Sequence, residues 1–205
     1  MRLLWCSSEV IIAKVTDRGQ SIEQYRAEGL AVVQDATFIG FLTTLKVDPL
    51  APAKLYALVT KELCCTDDIF ALFQAVWVSV DGGRNWERLE PPLADGCTYP
   101  EVQIDPSDSS VYLGCGNELF KSTDGGASWT PKHFPYGARL WSLQVGPGNP
   151  AVLFGSLGVL WKSIDGAETW QRLGTLPATS DPRILTPHPV EQRFTRLSGS
   201  SGLWH

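Results

Sequence analysis

The stretch STDGGASW, residues 122–129, decides the fold because it recurs along the chain. SVDGGRNW occupies 79–86 and SIDGAETW occupies 163–170, so the aspartates at 81, 124 and 165 follow one another at intervals of 43 and 41 residues. A fainter copy, VTDRGQSI at 15–22, has Ile22 in the place of the tryptophan. A fixed period of this length predicts a fold made of similar units placed side by side.

A second element precedes each copy and ends in a turn. It reads LKVDP (45–49), VQIDP (102–106), LQVGP (143–147) and LTPHP (185–189). From Asp105 to Asp124 the distance is 19 residues, whereas from Asp48 to Asp81 it is 33. The earlier copy therefore holds an insertion, TKELCCTDDIFALFQ at 60–74, which we expect to follow its second strand.

Each repeat predicts four short strands, as in SLQV, AVLFGS, VLWKS and TWQRL of the copy that ends near 175. Runs of this length separated by Gly, Pro and Asn indicate a four-stranded antiparallel sheet. One such sheet cannot bury both faces, but sheets packed radially can. The sequence thus predicts an all-β protein: a β-propeller of four-stranded blades, about four in number and a partial propeller. We expect one domain over 1–205, with repeats near 1–37, 38–90, 100–134, 140–175 and a partial one at 184–205.

The repeated stretch reads as a tight hairpin with a structural role. Gly126 can adopt positive φ, and Asp124 can accept hydrogen bonds from its own turn. Trp129 can then pack its ring on the hairpin and on a neighbouring blade. By the same reasoning the structural positions are Ser79, Asp81, Gly83, Trp86, Ser122, Asp124, Gly126, Trp129, Ser163, Asp165, Gly166 and Trp170.

The pattern Ser-x-Asp-x-Gly-x-x-Trp resembles the Asp-box, or BNR, repeat of sialidases, xyloglucan-type glycosidases, sortilin-like receptor domains and photosystem II assembly factors. IDPSDSSVYLGCGNELFKSTDGGASW (104–129) is most similar to the xyloglucanase and sortilin-like repeats. The resemblance implies a β-propeller and covers nearly the whole chain. It does not separate enzymes from receptors and scaffolds, because all share the repeat. It implies a secreted or periplasmic location, although MRLLWCSSEVIIAKV does not predict a signal peptide.

Strand parity assigns the turns to two ends of the blades. Turns after first and third strands share one end, and the insertion 60–74 projects from the other. The resemblance implies that ligands bind at that other end. Acidic groups beside aromatic rings can bind a sugar, although aromatics in such a loop can also simply anchor it to the sheet. The candidate ligand residues are Glu62, Asp67, Asp68, Phe70, Phe73, Tyr99, Tyr136 and Arg139.

Two functions remain open. The first is a non-catalytic module that binds a protein or a glycan. The alternative is part of an Asp-box glycoside hydrolase, which needs a pair of carboxylates. Asp67 or Asp68 could supply one, and Glu101 or Asp95 the other, but no spacing singles out a pair. No arginine cluster of the sialidase kind is present, and we assign no catalytic residue.

The composition and charge of the chain argue against some classes of binding partner and cofactor. The net charge of −5 argues against nucleic acid, and no apolar run is long enough to span a membrane. Five cysteines without a Cys-x-x-Cys pair predict neither a disulfide framework nor a zinc site, and we expect no metal or cofactor. RLLWCSS resembles a second strand, and SGLWH the start of a third. We therefore expect an arc of a larger propeller; a closed four-blade ring, or completion by a second chain through self-association, are the alternatives.

Overall fold

The structure is a computed structural model that describes residues 10–16, 20–30, 38–63, 72–93, 97, 100–135, 140, 142–146, 152–156, 159–175, 186–187 and 194–195. All sixteen elements in these ranges are β-strands, and no helix occurs among them. The predicted all-β class is confirmed.

Three complete blades follow one another along the chain, each with four antiparallel strands in sequence order. Blade 1 consists of β3 (Phe38–Val47), β4 (Leu55–Leu63), β5 (Leu72–Ser79) and β6 (Glu87–Leu89). Blade 2 consists of β7 (Glu101–Ile104), β8 (Val111–Cys115), β9 (Glu118–Ser122) and β10 (Thr130–His133). Blade 3 consists of β11 (Ser142–Gly146), β12 (Val152–Ser156), β13 (Val159–Ser163) and β14 (Gln171–Thr175).

Two smaller sheets flank the blades in the sequence. The first half-blade pairs β1 (Ile11–Thr16) with β2 (Ser21–Arg26). The second half-blade pairs β15 (Thr186–Pro187) with β16 (Phe194–Thr195). In each of the two repeats predicted near the ends of the sequence, the structure thus describes two paired strands.

The blades pack face to face around their first strands. β3 contacts β7, β7 contacts β11, and β11 contacts β15. Apolar clusters fill three of the junctions. Tyr56 and Leu58 of blade 1 meet Val102 and Leu113 of blade 2, and similar clusters join blade 2 to blade 3 and the first half-blade to blade 1. Blades 1 and 2 therefore each bury both faces against their neighbours, as radial packing requires.

The insertion 60–74 differs from the predicted loop. β4 runs through to Leu63 and β5 starts at Leu72, and Phe38 of β3 pairs with Leu63. The insertion therefore lengthens three strands of blade 1 at one end, because backbone pairing continues through it, instead of forming a loop throughout.

The turns divide the blades into two ends. At the turn end lie the hairpins 80–86, 123–129 and 164–170, together with the turns 48–54 and 105–110. Gly82 N donates to Ala53 O at 2.8 Å, and Ser109 Oγ donates to Asp48 Oδ1 at 2.8 Å, so both kinds of turn are in contact there. At the loop end lie the described parts of the 60–74 hairpin, together with the end of each fourth strand and the start of the next first strand.

Candidate functional site

The three Asp-Gly turns are closed by their own hydrogen bonds. The serine that begins each turn donates to the aspartate Oδ1 at 2.8 Å. The same serine oxygen accepts from the backbone N–H four residues later. The aspartate also accepts from the backbone N–H and the side chain of the fourth residue after it, which is Asn85, Ser128 or Thr169. Both carboxylate oxygens are thus engaged within one turn.

These hydrogen bonds lower the pKa of all three aspartates. The pKa falls from 3.8 to about 2 in Asp81, Asp124 and Asp165. The largest cause in each case is a hydrogen bond from that fourth residue, since a carboxylate that accepts several donors is stabilised in its charged form. The turn end therefore carries ionised carboxylates whose oxygens are occupied by local donors.

The three repeated tryptophans contribute to successive blade junctions. Trp86 is buried, and its Nε1 donates to Gly83 O at 2.8 Å. Trp129 is partly buried in the cluster between blades 1 and 2. Trp170 is also partly buried and donates from Nε1 to His133 O of blade 2 at 2.8 Å. The three positions are equivalent, but only Trp86 is fully enclosed.

At the loop end, Glu101 starts the inner strand of blade 2. Burial raises its pKa from 4.5 to about 7, although nearby Lys46 of blade 1 and a hydrogen bond with Gln103 act in the opposite direction. Gln103 in turn donates from Nε2 to Leu143 O of blade 3 at 2.7 Å. Lys46 and Gln103 thus act on this carboxyl, and Gln103 is itself bonded to blade 3. The carboxyl can hold or release a proton near neutral pH.

A disulfide links Cys97 and Cys115 at the same end. Cys115 ends β8 and directly follows Gly114, the residue that pairs with Glu101. The cysteine count predicted no disulfide framework, and for this pair that prediction is wrong. The bond joins the connection before β7 to the end of β8, a contact between chain segments that counting and local spacing do not reveal.

The strand order of the sequence assigns the predicted ligand residues to the loop end, but most of them fall outside the described ranges. These are Asp67, Asp68, Phe70, Tyr99, Tyr136 and Arg139, and Asp95 is another. Glu62 lies in β4 and Phe73 in β5, and only their backbones are described. The last pair between β4 and β5, Lys61 with Leu72, is at the opposite end of the hairpin from Ser79 and its Asp-Gly turn.

The neighbours of Glu101 were not identified from the sequence, although a signal for them exists. LKVDP and VQIDP place Lys46 and Gln103 at equivalent positions of adjacent inner strands, so both belong beside the axis of the stack. The described residues include no group of three or more metal-ligating side chains. Among them there is likewise no helix of the length and hydrophobicity needed to cross a membrane.

Comparison with known proteins gives partial matches. No protein-family model matches the chain. It is 32% identical over 96 residues to the xyloglucanase Xgh74A of Acetivibrio thermocellus, a match that covers 42% of this chain and 11% of the enzyme. The GH74 enzyme of Niastella koreensis superposes with a TM-score of 0.59 at 16% identity, over 96% of this chain and 28% of the enzyme. YCF48 from Cyanidioschyzon merolae has a TM-score of 0.46 at 13% identity, over 82% and 69% of the two chains.

This chain spans about a tenth of the length of the xyloglucanase and under a third of the GH74 structure. At 16% identity the structural similarity shows the fold alone. That similarity, together with three stacked four-stranded antiparallel blades, identifies the chain as part of a β-propeller, as the sequence predicts.

Proposed function

We propose that this chain is a non-catalytic β-propeller module that binds a protein or a glycan at its loop end. The observation that supports this most directly is the difference between the two ends. At the turn end, both oxygens of each repeated aspartate are engaged by the turn itself. At the loop end, blade 1 is lengthened by the 60–74 hairpin, and a disulfide holds the connection before β7.

The turn end has a structural role in this proposal. The Ser, Asp, Gly and Trp positions of the three turns act as Asp-box residues that close the hairpins and pack the blades. Serines 79, 122 and 163 are buried, and each bonds both the aspartate and a backbone N–H of its turn. An aspartate engaged in this way has little capacity left for a ligand.

A binding measurement tests the proposal. Xyloglucan oligosaccharides are the first probe because the curated relative is a xyloglucanase. Titration calorimetry with the wild type should show saturable binding, weakened about tenfold in Phe70→Ala or Asp67→Ala, as expected for residues central to a binding surface. Val80→Ala, an exposed change at the turn end, is the matched control. Equal affinities in all four proteins would rule out the loop end as the site of binding.

The alternative is that the chain forms part of a glycoside hydrolase. Two observations favour it: the partial match to a xyloglucanase, and Glu101 with its pKa raised to about 7, which suits a general acid. Release of reducing sugar from xyloglucan by the wild type, lowered about a hundredfold in Glu101→Gln, would support hydrolysis. Binding without release would instead support the binding module.

A further inference from the structure

The two half-blades supply complementary halves of one blade. In every complete blade, the Asp-Gly turn joins the third strand to the fourth. β1 and β2 flank the fainter copy of that turn at 17–20, so they correspond to a third and a fourth strand. β15 contacts the inner strand β11 and carries the LTPHP element, so β15 and β16 correspond to a first and a second strand. In this chain the two pairs are separate two-stranded sheets.

The first half-blade exposes the face that other blades bury. Ile22 occupies the position of Trp86, Trp129 and Trp170, each of which packs on the preceding blade or half-blade, yet Ile22 is 64% exposed. Val15, which pairs with Ile22, occupies the position of the buried serines and is 61% exposed. Within the described residues, no blade packs on this face of the first half-blade, which is the face that contacts the preceding blade or half-blade in blades 1 to 3.

Blade 3 exposes a residue that the other blades use to contact the next blade. In those blades, and in the first half-blade, the third residue after the repeated tryptophan or Ile22 contacts the Asp-Gly turn of the following blade. Tyr25 OH donates to Gly82 O. Leu89 packs against Gly126, where an added Cβ would come within 2.4 Å of it. Lys132 pairs with Glu168. The fourth equivalent is Leu173 of blade 3, and it is 44% exposed.

We propose that a second copy of this chain covers these surfaces. Leu173 of one copy packs against the Ile22 and Val15 face of the next copy, while β16 of the first copy lies alongside β1 of the second. Four strands from two chains then complete one blade between blade 3 of one copy and blade 1 of the next. The contact is heterologous, because two different surfaces meet, so copies join head to tail. It also pairs the edge of β1, which has no neighbouring strand other than β2 within the described residues. This interface is separate from the loop end.

Two charge substitutions and a mixing experiment test the interface. In sedimentation velocity, the wild-type chain should show a mass that rises with concentration above the 22.5 kDa of one copy. Ile22→Lys removes one side of the contact and Leu173→Lys the other, so each variant alone should sediment as a monomer. Val80→Lys is the control, because Val80 is 72% exposed at the turn end and should leave association unchanged. Far-ultraviolet circular dichroism verifies that the variants keep the β-fold.

Mixing the two variants separates this arrangement from other kinds of association. Ile22→Lys keeps an intact blade 3 surface, and Leu173→Lys keeps an intact first half-blade. One wild-type junction can therefore form between them, whereas the other would oppose two lysines. The mixture should give a dimer and nothing larger. A wild type that is monomeric at every concentration, single variants that still associate, or a mixture that stays monomeric would each overturn the proposal.

Discussion

The acidic residues at the two ends of the blades show how the surroundings of a carboxyl group shift its pKa in opposite directions. Asp81, Asp124 and Asp165 are at the turn end and have a pKa lowered to about 2 by hydrogen bonds. Glu101 is at the loop end and has a pKa raised to about 7 by burial. The first group is fixed in its charged form, whereas Glu101 can change its protonation near neutral pH.

The two environments also differ in how far along the chain their partners lie. The donors to each turn aspartate come from within four residues, as with Ser79 and Asn85 around Asp81. Near Glu101, Lys46 of blade 1 and Gln103 of blade 2 act on the carboxyl, and Gln103 in turn donates to Leu143 O of blade 3. The turn end can therefore form locally, whereas the environment of Glu101 exists only once the blades are stacked.

Removing the most buried of the three repeated tryptophans should have the largest effect. Trp86 belongs to a turn but lies in the cluster between the first half-blade and blade 1. We expect Trp86→Ala to lower the free energy of unfolding by about 3–5 kcal/mol, as for a large core aromatic, measured by urea denaturation.

The partly buried Trp170 provides the matched variant for this comparison. Trp170→Ala should cost clearly less than Trp86→Ala, because part of its ring already contacts solvent. Equal losses in the two variants would mean that the junctions are equivalent in packing and that the difference in burial has no energetic consequence.

Breaking the disulfide should lower the stability of the whole fold and loosen the loop end most. Cys97 and Cys115 are separated by 18 residues, and cross-linking a segment of that size is worth about 3 kcal/mol through the entropy of the unfolded chain. We expect the Cys97→Ser, Cys115→Ser double variant to be destabilised by about that amount in thermal or urea unfolding.

Hydrogen exchange shows where the loss occurs. Amides of β7 and β8, such as Gly114, should lose more protection in the double variant than Gly126 N, which donates to Ser122 Oγ, because the cross-link also restrains local opening of the segment that it closes. Equal loss of protection at both ends would show that the disulfide acts through the unfolded chain alone.

The parts of the fold that the sequence predicts are those held by local contacts. The Asp-Gly turns were recognisable because the residues that bond to one another, such as Ser122, Asp124 and Ser128, lie within a few positions. The blade order followed because each strand pairs with its neighbour in sequence, which leaves few choices of topology.

The environment at the loop end was beyond prediction because it depends on contacts between blades. The Cys97–Cys115 bond was missed, and so was the pairing that carries β4 to Leu63. Glu101 was named only as one possible carboxylate. Its burial depends on the packing of neighbouring blades, which a single sequence does not specify.

The pH dependence of stability should show opposite signs at the two ends. The turn aspartates have a folded pKa below their ordinary 3.8, so they stabilise the fold above pH 3.8 and this contribution is lost as pH falls towards about 2. Glu101 has a folded pKa above its ordinary 4.5. It therefore leaves stability unaffected well below pH 4.5 and lowers it as pH rises through the range from 4.5 to about 7, with the loss complete only above that range.

Glu101→Gln isolates the second of these effects. Because glutamine does not ionise, we expect the variant to gain about 2 kcal/mol over the wild type between about pH 5 and about pH 8, measured by urea denaturation at both values. Glu90→Gln is the control, since Glu90 is an exposed carboxylate paired with Arg88. The acid-induced loss should be the same in all three proteins, because the turn aspartates are unchanged. A Glu101→Gln profile parallel to that of the wild type would show that Glu101 is ionised at a normal pKa, and the contrast between the two ends would then fail.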